Sequence, residues 1–165
     1  MRLHVGTDVC DLTGRAIMKV ALLQESQGLR TFVLVLGPED EAMATLGTFA
    51  TTHRLGASHF TAIGAFSHAV VAYFEWTSKQ YRQIRIDEQV EVLSMVGDIT
   101  LDENQPKVHA HVVLGKADAT AHGGHLVRGD VRPTLEIVVT ETPAHLRRRF
   151  DPESRLALID PSDRA

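Results

Sequence analysis

The chain has 165 residues, 44% of them hydrophobic and 23% charged, and a formal net charge of −4. That length falls in the single-domain range and lets a chain bury roughly two thirds of its unfolded surface, and the composition excludes wholesale disorder. A negative balance, with a pI near 6.1, is the wrong sign for a domain whose affinity rests on neutralising phosphates.

The first twenty residues carry Arg2, Asp8, Asp11 and Arg15 with no apolar run between them. Neither a signal peptide nor a membrane span is expected there, and a cytoplasmic location follows. The single cysteine, Cys10, precludes an intramolecular disulfide and reads as a passive thiol. Residues 1 to 16 read as an N-terminal arm, 17 to 142 as one domain and 143 to 165 as a C-terminal tail.

Residues 17 to 23 and 31 to 36 are apolar strand candidates joined by a turn-like stretch ending at Gly28, which predicts a hairpin. Pro38, Glu39, Asp40 and Glu41 then announce a helix, because acids favour a helix N-terminus. Ala42, Leu46, Phe49 and His53 recur at helical spacing until Gly56, so one face of this helix should cover a sheet. His53, close to the helix C-terminus, reads as a partly buried residue placed favourably against the dipole.

From residue 57 onward the pattern turns to alternation and β-branched runs, at about residues 58 to 66, 69 to 76, 80 to 86, 90 to 101, 107 to 114 and 131 to 140. Short connections favour antiparallel pairing, since a parallel crossover needs about a dozen residues or more. The expected class is α+β, with a mainly antiparallel sheet of seven to eight strands and one main covering helix. The basic run Arg147, Arg148 and Arg149 is diluted by Asp151, Glu153 and Asp160, and it reads as a solvated face or helix end.

The chemistry concentrates between Lys107 and Leu126. In the strand candidate 107 to 114, period two places Lys107, His109, His111 and Val113 on one face and Val108, Ala110, Val112 and Leu114 on the other, which should be the core face. Two imidazoles about 6.6 Å apart along one strand can lean onto one ion. His122, Gly123, Gly124 and His125 follow, and the paired glycines permit a close return of the chain that would bring His125 back beside the first pair. Three neutral imidazoles suit a divalent first-row metal, zinc foremost, with a further position open to water, a carboxylate or a ligand. The competing reading is a polar strand face at an oligomer interface.

Several known site patterns are excluded. A His-x-His cupin pattern wants a glutamate a few residues on, and none occurs between Glu103 and Glu136. The zincin pattern, the phosphate loop and the nucleophile elbow are absent. Ser67 and His68, adjacent on a strand, should point to opposite faces.

The ordered runs Phe60-Thr-Ala-Ile-Gly-Ala-Phe66, Glu91-Val-Leu-Ser-Met-Val-Gly97-Asp-Ile-Thr-Leu101, Val108-His-Ala-His-Val-Val-Leu-Gly115, Gly123-Gly-His-Leu126 and Pro133-Thr-Leu-Glu136 resemble the prokaryotic branch of the plants and prokaryotes conserved (PPC) domain. The resemblance covers roughly residues 30 to 142. It implies a curved antiparallel sheet, a homotrimer, and a metal held at His109, His111 and His125, with His122 outside the ligand set. The DNA-binding label of the family rests, in the plant relatives, on a separate Arg-Gly-Arg-Pro type hook, and no such segment occurs here. Arg128-Gly129-Asp130 comes nearest, but its aspartate repels phosphate.

Three functions compete on these grounds. The first is a metal-binding homotrimeric module that senses a ligand or scaffolds a partner, in a regulatory setting. The second is a small three-histidine metalloenzyme with Glu91, Asp98 or Glu136 as general base. The third is a DNA-binding regulator, disfavoured by charge and by the missing hook.

Overall fold

The computed structural model describes residues 9–10 and 16–162, with side chains from residue 18 onward. Most of the N-terminal arm, and the side chain of Cys10, therefore lie outside the described residues. The elements are β1 (Val9–Cys10), β2 (Ala16–Ser26), β3 (Leu29–Leu36), α1 (Ala42–His53), β4 (Ala57–Glu75), β5 (Gln80–Ile86), β6 (Val90–Asp102), β7 (Gln105–Gly115), β8 (Ala121–Glu141), β9 (Arg147–Asp151) and β10 (Leu156–Asp160).

The class is α+β, with ten strands among the described residues rather than seven or eight, in a sheet that is mixed but, as expected, mainly antiparallel. All pairs are antiparallel except one bridge between β6 and β9, at Leu101 and Arg147. The hairpin expected from residues 17 to 36 is β2 and β3. The extra strands are the short β1 in the N-terminal arm and two from the tail, where β9 and β10 pair residue by residue from Leu156 with Asp151 to Asp160 with Arg147. Charged strands such as Arg147–Asp151 carry no apolar alternation, so periodicity had nothing to register.

Two predicted runs, 58 to 66 and 69 to 76, are a single strand, β4. The pairing of β4 with β8 slips between Phe66 and His68, a bulge that interrupts the alternation and imitates a strand boundary. β4 pairs with both β6 and β8, and β7 pairs with both as well. These four strands thus form a closed circuit of neighbours, and the sheet is curved.

Helix α1 starts where Glu41 accepts hydrogen bonds from Met43 N at 3.1 Å and Ala44 N at 2.7 Å, satisfying two orphan donors of the first turn. Glu41 also accepts from Gly129 N at 2.9 Å, tying the helix start to β8. Arg54, in the left-handed region, ends the helix. Ala42, Leu46, Phe49 and Ala50 are buried against Phe60, Met95, Ala110, Val112, Leu114, Leu126 and Ile137 in one core. His53 packs on Phe49 and Phe32, with ring centroids 4.4 and 5.1 Å away, and burial, then the Arg30 charge, lowers its pKa.

Candidate metal centre

The site is built on the face of the sheet turned away from α1. On β7, Ala110, Val112 and Leu114 are buried in the core, so alternation sends His109 and His111 to the other side. On β8, His125 lies directly across from His111, whereas His122 lies across from the core residue Leu114. Direct partners in an antiparallel pair share a face. One strand register therefore brings His125 in and turns His122 away.

The close return needs the two glycines. A Cβ at Gly123 would sit 2.5 Å from Val112 O, and one at Gly124 would sit 2.8 Å from Ala72 O. Both obstacles are backbone atoms, which cannot swing aside, so β8 fits between β7 and β4 only without side chains here.

His109, His111 and His125 each offer a ring nitrogen, and these nitrogens lie within 4.8 Å of one another. The ring centroids are 5.1 Å apart for His109 with His111, 5.1 Å for His109 with His125, and 5.6 Å for His111 with His125. Among the described residues this is the group with metal-holding geometry. His125 Nδ1 is buried with no hydrogen-bond partner. A buried polar atom left so costs about 1–3 kcal/mol, and a group that takes its lone pair removes that cost. The donor set fits a divalent first-row ion on that ground.

His109 Nδ1 lies 3.3 Å from Asp98 Oδ2, directly across the β6–β7 pair. An ionised carboxylate only accepts, so Nδ1 carries the proton and Nε2 keeps the free lone pair. Asp98 also accepts from the Arg148 guanidinium at 2.6 Å. Burial alone would raise the Asp98 carboxyl, but the hydrogen bonds from His109 and Arg148 and the Arg148 charge hold it below its ordinary value. Desolvation foremost, then the charge of His109, lowers His111. His125 is lowered to about 4 by desolvation, then by His109 and His111. Neutral imidazoles are what an ion requires.

Of the three carboxylates expected as general bases, Asp98 reaches the histidines but both its oxygens are engaged. Glu91 and Glu136 are exposed and outside the group. The triple arginine is a solvated face only in part, since the Arg149 side chain is 65% exposed while that of Arg148 is withdrawn from solvent. Arg148 is 7% exposed on its ion pair with Asp98, Arg149 pairs with Asp160 at 3.0 Å, and Arg147 bonds Asn104. This pairing across some fifty positions leaves no local signature, so Arg148 was invisible to spacing arguments.

Ser67 and His68 do not diverge. The bulge turns them together, with Ser67 Oγ 3.2 Å from His68 Nδ1 and His68 Nε2 2.8 Å from Asp130. The Ser67 hydroxyl donates to the Asp130 carbonyl at 3.2 Å, so its proton is directed away from the ring that would have to remove it.

No helix among the described residues is long and apolar enough to cross a membrane. No curated protein matches the chain. Among solved structures, a metal-containing protein from Archaeoglobus fulgidus is 30% identical, with a TM-score of 0.74 over 79% of this chain and 92% of that one. A plant- and prokaryote-conserved protein from Pyrococcus horikoshii is 26% identical, with a TM-score of 0.75 over 83% and 97%. A candidate DNA-binding protein from Ralstonia eutropha JMP134 is 27% identical, with a TM-score of 0.73 over 78% and 90%. The model of the Plants and Prokaryotes Conserved (PCC) domain matches residues 23–143, the stretch that contains all three histidines, and the chain belongs to that family.

Proposed function

We propose that the protein is a metal-binding homotrimeric module, holding one divalent ion, zinc foremost, on His109, His111 and His125, and that it senses a ligand or scaffolds a partner. The observation that carries this reading is the convergence of three ring nitrogens within 4.8 Å, one ring pinned by Asp98 and one with a buried nitrogen that has no protein partner. The Archaeoglobus relative, described as metal-containing, supports it. When bound, such an ion supplies a Lewis acid with a coordination position for a small ligand. The chain's own contribution is to keep the rings neutral and aimed.

Association of subunits is supported by apolar residues on the same face as the histidines, and the number three is what the family resemblance implies. Val96 lies across from His111 and from Thr61, and Thr61 lies across from Val138. Val96, Val138 and nearby Ile63, Leu93 and Val113 are exposed, beside a groove of about 380 Å³ lined in part by Val33, Ile63, Leu93 and Val138. Contiguous exposed apolar surface of this kind marks an interaction face.

The binding reading is preferred over a metalloenzyme because the one carboxylate at the histidines, Asp98, is held by two donors and is not free to accept a proton. DNA binding is disfavoured by the net charge of −4 and by the engagement of Arg148 and Arg149 with acids.

The test is a competition titration with zinc. His109→Ala, His111→Ala and His125→Ala should each lower affinity at least ~10-fold, because loss of a ligand costs no less than loss of an outer-sphere partner. His122→Ala and His53→Ala should leave it unchanged. Equal effects across all five variants would remove the assignment.

A further inference from the structure

The tail hairpin lies beyond residues 23–143, the stretch matched to the family, yet it reaches the carboxylate that holds His109. β9 leaves the sheet by its single bridge to β6, and Leu101 N donates to Leu146 O at 2.8 Å just before it. Arg148, the next residue after that bridge, turns its side chain back across β6. Its Nε donates to Thr100 Oγ1 at 2.8 Å, one terminal nitrogen donates to Ala157 O on β10 at 3.0 Å, and the other donates to Asp98 Oδ1 at 2.6 Å. Thr100 is fully buried. A planar guanidinium held by acceptors on three sides has one orientation left. Asp98, gripped at Oδ1, therefore presents Oδ2 to His109 Nδ1 at 3.3 Å.

We infer that the C-terminal hairpin is a working part of the metal centre: Arg148 is a positioning residue that fixes Asp98, and Asp98 fixes the tautomer and tilt of His109. The inference rests on the metal reading of the three histidines and adds to it a chain of control from outside the family domain. Two effects of removing Arg148 oppose each other. Loss of its positive charge leaves the Asp98 carboxylate less compensated, which attracts a dication. Loss of its grip lets that carboxylate rotate off His109, so that both ring tautomers become populated and one of them has the wrong nitrogen protonated. Asp98 is partly open to water, where the charge effect is screened, whereas the geometric effect is not. The net expectation is weaker binding.

The experiment uses the full chain with Arg148→Met, Arg148→Lys and Asp98→Asn, and with Arg149→Ala as a control on the same strand. In the metal-free protein, nitrogen NMR of His109 should show one tautomer, protonated at Nδ1, in wild type and in Arg149→Ala, and a mixture in Arg148→Met. Zinc affinity should fall about tenfold in Arg148→Met and less in Arg148→Lys, which restores the charge but not the fork. The cobalt(II) absorption spectrum should change in Arg148→Met and stay as wild type in Arg149→Ala. The double variant Asp98→Asn with Arg148→Met should bind no worse than Asp98→Asn alone. The inference is overturned if wild type and Arg148→Met take zinc equally with one His109 tautomer, or if Arg149→Ala weakens binding as much, since hairpin stability alone would then be the cause. A wild type that takes up no zinc overturns the metal reading together with the inference, a result distinct from equal uptake by both.

Discussion

His125 shows how a single residue's surroundings decide its chemistry. Its ring stacks 4.8 Å from Tyr81 and 5.1 Å from His109, and desolvation with two neighbouring imidazoles lowers it to about 4. The unfolded chain carries the same residue at its ordinary value near 6.5. Between those two values the unfolded state binds the proton and the folded state does not, so stability rises with pH through that window. The metal-free protein should therefore lose stability as pH is lowered from 6.5 toward 4, and His111, lowered in the same direction, should add to the loss. Urea midpoints measured across that range check the slope. An NMR titration of His125 with a midpoint near 6.5, and a flat urea profile, would contradict it. None of this was legible in the sequence, where the spacing of His109, His111 and His125 could be read but not their burial. Asp98 was named only as one of three candidate bases, and its pairing with Arg148 was out of reach for another reason, the two being fifty positions apart and joined only by the tertiary fold.

Among the elements, β8 carries the most. Its 21 residues span the helix cap at Gly129, the return at Gly123 and Gly124, and the central pairing with β3 and β4. The apolar half, Val131, Leu135, Ile137 and Val139, was readable from alternation, whereas the first half was not, because glycines and charged residues lack strand propensity. β7 was readable throughout, since the core face of Ala110, Val112 and Leu114 alternates without a break. Gly124→Val tests the close approach. A branched Cβ directed at the Ala72 carbonyl must push the strands apart, costing about 1–3 kcal/mol as overpacking does, and it should carry His125 away from its partners. The expected result is a lower melting temperature together with weaker zinc binding. Unchanged stability and affinity would show that the strands separate freely here.

At the scale of the whole molecule, one curved sheet keeps its helix-covered face dry and leaves histidines and apolar residues together on the other. Ile63 is 61% exposed, so Ile63→Arg should be tolerated by an isolated subunit and should disfavour assembly through repulsion and desolvation. Light scattering should then report a mass near the single chain's 18.2 kDa, with circular dichroism unchanged. The direct test of the three-histidine centre is native mass spectrometry of gently purified full-length protein, which reads metal content and assembly at once. The account predicts three chains carrying one divalent first-row ion each, with the ions lost from His109→Ala, His111→Ala and His125→Ala and kept by His122→Ala. Protein that carries no such ion and takes none up when zinc, manganese, iron or nickel is added would contradict it.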